Sequence, residues 1–290
     1  MDIYLIDGTY ELFRHFYALP SRRDAAGEEV AALLGVLNTV LGTIRGGATH
    51  VGVATDHVIE SFRNALYAGY KTGEGIDPAL WRQFHPLEDA LRAMGITTWA
   101  MVEQEADDAL AAAAARAAAD PAVRRVFICT PDKDLAQCVR GDRIVQLDRR
   151  SSVVRDEAGV IEKFGVRPES IPDYLALVGD SADGFPGIPG WGKKSASVVL
   201  SRYLHLEAIP REARQWDVSV RGADALLDSL RGRWEEAQLF RTLATLRRDA
   251  KVFERVDELA WRGPGEQFDA LCRRLNAQDT AMAARELARR

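Results

Sequence analysis

The chain has 290 residues, 47% apolar and 28% charged, with a formal net charge of −5. That length holds two compact units or one large one, and the negative charge argues against a coat for nucleic acid while leaving room for a basic surface beside an acidic cleft. The longest apolar run, 109–115, stops at Arg116 and cannot span a membrane, the N-terminus lacks a basic signal-peptide region, and three cysteines without metal-ligand spacing suggest reduced thiols in a cytosol.

Residues 2–6 form a short apolar run of β-formers and end at Asp7-Gly8, which reads as a buried strand delivering Asp7 at its carboxyl end. A helix follows over 11–19 with Arg14 on it, then a strongly apolar helix over 30–44. Strands are predicted at 50–55, ending at Asp56, at 97–102, and at 126–130, which runs into Pro131-Asp132-Lys133-Asp134. Two shorter ones are predicted at 143–148 and 153–155. Strands alternating with helices predict a doubly wound, mostly parallel sheet, whose ligands bind beyond the carboxyl ends of the strands.

The acids fall at that edge. Directly after the third strand comes Glu105-Ala106-Asp107-Asp108, heading an Ala-rich helix. Helical geometry puts Glu105 and Asp108 about 60° apart on one face and points Asp107 elsewhere. A single acid after a strand is most often a helix cap or turn residue, and acids in a first turn favour the helix dipole by roughly 0.3–1 kcal/mol each. Seven acids over four strand ends are harder to dismiss. Crowded carboxylates repel, and hard divalent cations such as Mg²⁺ or Mn²⁺ would neutralise them.

Between the second and third strands lie Ser61-Phe62-Arg63, Tyr67, Tyr70-Lys71, a Gly/Pro section, and Trp81, Phe84 and Leu87 at helical spacing. Composition leaves two readings open: aromatics and cations that grip a single strand, or a helical hairpin packed on the core. After the sheet the chain turns helical. A helix over 168–179 runs into Asp180 and Asp183, then into Gly-Ile-Pro-Gly-Trp-Gly-Lys-Lys-Ser ending at Ser195. The glycines allow close backbone approach and the next helix start offers N–H groups to a phosphate, with a plain helix–turn–helix as the bland alternative. Walker spacing is absent, which argues against nucleotide hydrolysis.

Taken together, these motifs resemble the bacterial 5′-nuclease or flap-endonuclease family, including the 5′–3′ exonuclease domain of DNA polymerase I. The resemblance rests on Asp7-Gly8, Ser61-Phe62-Arg63 through Tyr70-Lys71, Glu105-Ala106-Asp107-Asp108, Thr130-Pro131-Asp132-Lys133-Asp134-Leu135, and Gly179-Asp180 through Lys194-Ser195. It implies an α/β fold, a mostly parallel twisted sheet flanked by helices in a PIN-like core over 1–160. A helical arch would cover about 71–94, and a helix–hairpin–helix region over 161–290 would have C-terminal helices packing back on the core.

The same resemblance implies that Asp7, Asp56, Glu105, Asp107, Asp108, Asp132, Asp134, Asp180 and Asp183 hold two or more Mg²⁺ or Mn²⁺ ions. It makes Lys71 and Arg82 the cations at the scissile phosphate. Arg14, Arg63, Gly190, Gly192, Lys193, Lys194 and Ser195 are expected to contact DNA, with a K⁺ ion at the hairpin. The expected activity is structure-specific hydrolysis of DNA with 5′ flaps or strand junctions, RNA primers included, in replication and repair. A cytoplasmic monomer is expected. The alternatives are a non-cleaving junction-binding module and a metal-dependent ribonuclease. Three departures stand out: Glu74 where an arginine is usual, Gly184 for asparagine, and Trp191 for a small aliphatic residue.

Overall fold

The computed structural model describes residues 1–289. It divides into two compact units. One comprises Met1–Ile59, Gly73–Thr130 and the chain from Arg248 onward; the other comprises Glu60–Thr72 and Pro131–Arg247.

The first unit is built on strands β1 (Asp2–Asp7), β2 (His50–Asp56), β3 (Thr97–Met101) and β4 (Arg125–Cys129), within a residue or two of the expected ranges. They lie in the order β3-β2-β1-β4, and all three pairings are parallel. The apolar character of β1 and β2 reflects burial on both faces: Ile3, Leu5, Ile6, Val51 and Val53 are all inaccessible. The Ala-rich helix Ala106–Ala119 packs on β1 and β4, its small side chains allowing close approach. Helix Gly8–Ala18 begins directly at the end of β1 and packs against Ala31–Arg45. Gly8 is needed there, because a Cβ would sit 2.8 Å from the side chains of Val53 and Thr55.

Leu80, Phe84, Leu87 and Leu91 are buried, so Pro78–Trp81 and Phe84–Ala93 pack on the core as helices, one of the two readings composition left open. The C-terminal stretch belongs to this unit. Trp99 Nε1 donates to the Val252 carbonyl at 2.8 Å, and Trp261 Nε1 donates to the Met94 carbonyl at 2.8 Å.

The second unit contains an antiparallel pair, β5 (Ile144–Asp148) and β6 (Val153–Arg155), followed by helix Glu157–Phe164. Helix Ile171–Val178 packs against Trp234–Ala244, while Lys193–Tyr203 and Ala223–Gly232 complete its helical body. Phe185 stacks on Phe240 at 5.5 Å, and Trp191 packs on Trp216 at 6.3 Å, so both are core residues. A boundary at 160 was expected. The units part after Thr130 and before Arg248, so 131–160 belongs with the helical body, while the last helices belong with the parallel strands, the core on which they were expected to pack back.

Candidate metal centre and nucleic-acid interface

In the first unit, Asp7 and Asp56 are the last residues of β1 and β2, and Glu105, Asp107 and Asp108 open the helix that follows β3. Asp7 caps helix Gly8–Ala18, accepting from the Tyr10 N–H at 2.8 Å, while its other oxygen accepts from the Thr130 hydroxyl at 3.0 Å. Asp56 accepts from the Ala106 N–H at 2.8 Å, which ties the end of β2 to the start of the acidic helix. Glu105 and Asp108 do share a face: the Glu105 N–H donates to Asp108 Oδ2 at 3.0 Å, and both side chains are buried. Asp107 lies apart from that face and is half-buried. Helix-start geometry thus accounts for one oxygen of Asp7, Asp56 and Asp108.

In the second unit, Asp134, Asp180 and Asp183 converge, with one carboxylate oxygen of each within 4.8 Å of the others. All three are at least nine-tenths buried, and Asp134 Oδ1 has no hydrogen-bond partner. Burial, and after it the charges of Asp132, Asp183 and Asp180, hold the Asp134 carboxyl well above its usual value. Asp132 turns its Oδ1 to the Asp134 N–H at 2.9 Å and is itself open to solvent.

Two lysines face this cluster. Lys71 Nζ lies 2.9 Å from Asp183 Oδ1, and Lys133 Nζ lies 2.7 Å from Asp180 Oδ2. Burial opposes the Lys133 charge, but Asp180, and then Asp134 and Asp132, hold its pKa above the ordinary lysine value. Lys133 had no role in the sequence reading, although it sits between two expected ligands; its offset between Asp132 and Asp134 was the available signal.

The loop that delivers Asp180 and Asp183 is closed by backbone bonds between Asp180 and Phe185 in both directions, at 2.8 and 3.0 Å. Gly184, at φ +88°, approaches the Gly69 carbonyl so closely that a Cβ would lie 2.1 Å from it. This close passage lets the Lys71 N–H donate to the Asp183 carbonyl at 3.0 Å, and so positions the lysine. The departure at 184 is a packing requirement of this chain.

A buried oxygen without a partner, three converging carboxylates and an acid that resists ionisation describe an incomplete charge balance. Their oxygens are the hard donors a divalent cation prefers. The residues present fit such an ion.

The nucleic-acid candidates separate. Gly190 turns the hairpin at φ +84°. Ser195 Oγ accepts from the Gly192 N–H at 3.0 Å and caps helix Lys193–Tyr203. Lys193 and Lys194 in its first turn are exposed and pair with no carboxylate among the described residues. Trp191 holds the hairpin from beneath, its Nε1 donating to the Leu226 carbonyl at 3.0 Å. Arg14 is partly exposed and pairs with the buried Glu11. Arg82 is exposed and lies 3.4 Å from Glu28; it belongs to the first unit and Lys71 to the second.

Arg63 corrects an expectation. It is 1% exposed, and its guanidinium donates to the Leu243 carbonyl at 2.8 Å and the Thr245 carbonyl at 3.2 Å. These carbonyls end helix Trp234–Ala244, so Arg63 caps a helix from inside the fold and does not face DNA.

Comparison with known proteins decides the ancestry. Residues 2–165 match the model of the 5′–3′ exonuclease N-terminal resolvase-like domain, and residues 166–267 match that of the 5′–3′ exonuclease C-terminal SAM fold. The chain belongs to the 5′–3′ exonuclease family. It is 36% identical to DNA polymerase I of Pseudomonas aeruginosa over 278 residues, covering 92% of this chain and 29% of that one. It is 34% identical to the 5′–3′ exonuclease of Aquifex aeolicus over 209 residues, 71% of each. The chain therefore spans under a third of the polymerase relative. The T5 5′-exonuclease, solved with zinc bound, shares the fold at a TM-score of 0.65 and 16% identity, covering 100% of this chain and 99% of that one. The mixed α/β fold with a mostly parallel sheet is the one the strand pattern and the resemblance implied.

Proposed function

We propose that this chain is a structure-specific 5′ nuclease that hydrolyses DNA phosphodiesters with the help of divalent cations, Mg²⁺ or Mn²⁺. The observation that carries the reading is the convergence of Asp134, Asp180 and Asp183 around an unpartnered buried oxygen, with two lysines at its edge. Membership in the 5′–3′ exonuclease family supports it.

Asp134, Asp180 and Asp183, with Asp132, are the proposed ligands in the second unit, and Asp7, Asp56, Glu105, Asp107 and Asp108 those in the first. When bound, such ions supply an acidified water and positive charge for the leaving oxygen. The protein's own part is electrostatic and geometric. Lys71, held against Asp183 by backbone and side chain alike, presents a cation that pairs with a non-bridging phosphate oxygen as charge builds there. Lys133 offsets the negative field of the acids, so that a phosphate can approach. Arg82, exposed on its helix end, and Arg14 are proposed contacts of the single strand. Lys193, Lys194 and the capped N-terminus above Gly190 and Gly192 are proposed to hold duplex phosphates, with Ser195 shaping the turn and a K⁺ ion at the hairpin.

The proposed partners are DNA flaps and strand junctions, RNA primers among them, met by a cytoplasmic monomer. No helix among the described residues is long and apolar enough to cross a membrane.

A 5′-labelled flap duplex, a blunt duplex and a single strand, each with Mg²⁺ and with EDTA, test the proposal on one gel. Cutting near the flap junction that EDTA abolishes is the expected outcome. Intact DNA that still shifts on a native gel would replace the nuclease with a binding module.

A further inference from the structure

The second unit holds a cavity of about 680 Å³ beside the acid cluster. Small-molecule sites span roughly 300–1,000 Å³, so it can take a ligand of that class. Its walls are Lys163 and Phe164 at the end of one helix, Tyr174 from the next, and Lys193 in the first turn of a third, with Lys133 and Asp180 also lining it.

Lys133 and Asp180 pair with each other at 2.7 Å, and Lys163 Nζ lies over the Phe164 ring, 4.9 Å from its centroid, but the remaining polar groups here are poorly matched. Tyr174 is 5% exposed, yet its hydroxyl has no hydrogen-bond partner among the described residues. Burial raises its pKa, which keeps it a neutral donor. Neither Lys163 nor Lys193 pairs with a carboxylate among the described residues. Lys163 is instead disfavoured as a cation, by burial first and then by the charge of Arg155, whose Nη1 is itself buried without a partner. The open N–H groups of a helix start add to this surplus of donors. Phe164 meets Tyr174 edge-on at 6.1 Å, which makes one wall aromatic.

Surplus cations select an anion, an aromatic wall selects a flat ring, and a concave space of this size excludes a duplex. We propose that this cavity binds a nucleoside 5′-phosphate, either as a free mononucleotide or as the 5′-terminal nucleotide of a strand. Lys163 takes the phosphate and leaves the Phe164 face to the base, Lys193 stands at the rim shared with the proposed duplex contact, and the Tyr174 hydroxyl donates to the ligand. The binding claim rests on the cavity alone. Where the nuclease reading also holds, the ligand is of the class that reaction releases, and its occupancy slows turnover.

Isothermal titration of the full chain in EDTA tests this with dAMP, deoxyadenosine, inorganic phosphate, and a trinucleotide with and without its 5′ phosphate. Saturable dAMP binding is expected, with deoxyadenosine and inorganic phosphate each weaker by at least about tenfold. Lys163→Glu is expected to weaken dAMP about tenfold, and Tyr174→Phe about threefold, with thermal melting unchanged in the exposed lysine variant. A gain from the trinucleotide's 5′ phosphate identifies a strand end as ligand; no gain, with dAMP bound, identifies the free mononucleotide.

The proposal is overturned if dAMP fails to saturate by about 10 mM, a Kd weaker than ordinary metabolite sites. Equal binding by Lys163→Glu, or inorganic phosphate matching dAMP, would also overturn it. Flap cleavage is assayed in parallel. A chain that cuts but does not bind dAMP sinks the cavity alone, and one that binds dAMP but does not cut sinks the nuclease alone.

Discussion

Asp134 and Arg63 are both buried and ionisable, and their environments treat them in opposite ways. Asp134 has an oxygen with no partner and three acids near it, so its proton is held more tightly in the folded chain than in the unfolded one. In metal-free protein this group therefore lowers stability as pH rises from the ordinary aspartate value of 3.8 toward the raised folded value. Asp134→Asn removes that penalty. Melting in EDTA should show the variant matching the parent near pH 3.5 and exceeding it at pH 8, the gap opening above 3.8 and levelling off beyond the raised folded value, while flap cleavage in Mg²⁺ is lost. Equal melting at both pH values would show that the carboxylate is not strained. Arg63 is the reverse case, since every donor named for it meets a carbonyl. Arg63→Met leaves the carbonyls of Leu243 and Thr245 unsatisfied and should cost about 2–4 kcal/mol, read from urea denaturation. A loss of DNA affinity at unchanged stability would restore the surface role first expected of it.

At the scale of elements, the hairpin and the 180–184 loop place charge by different means. The hairpin works through exposure: Trp191 anchors it inward while Lys193 and Lys194 remain in solvent at a helix start. Replacing both lysines with alanine should weaken duplex binding and reduce the slope of log affinity against log salt by about 1–2, since each phosphate contact contributes nearly one. Fluorescence anisotropy across a salt series measures this, and an unchanged slope would remove the hairpin from the interface. The loop works through close packing. Gly184 brings Gly69–Lys71 against Asp183, and the lysine follows from the backbone contact. The residues that looked like departures, Gly184 and Trp191, are thus parts of how these two elements are held.

At the scale of the whole molecule, sequence order and compact units do not coincide. The family models meet between residues 165 and 166, yet the first unit needs the chain beyond Arg248. In a fragment ending at 165, the Trp99 indole would lose its acceptor, the Val252 carbonyl, and the Met94 carbonyl would lose its donor, the Trp261 indole. Such a fragment should melt without a cooperative transition and be digested quickly by protease. A sharp two-state melt of fragment 1–165 would show that the C-terminal helices are dispensable to the parallel sheet.

What the sequence determined by itself was the alternation of strands and helices, the acids at strand ends, and the hairpin glycines and lysines. These are local: period, burial pattern and turn chemistry repeat wherever such elements form. Glu105 and Asp108 were legible as a pair because helical geometry needs no tertiary partner. The family resemblance, not any spacing, put Asp134, Asp180, Asp183 and Lys71 in one expected site; tertiary structure alone decided that an oxygen of Asp134 is left without a partner, that Lys133 answers the acids, and that Arg63 turns inward. Each depends on residues far apart in the chain. Arg63 and Leu243 are 180 residues apart, and no spacing rule reaches that far. An arginine in a basic, aromatic stretch reads as a surface cation until a helix end arrives to bury it.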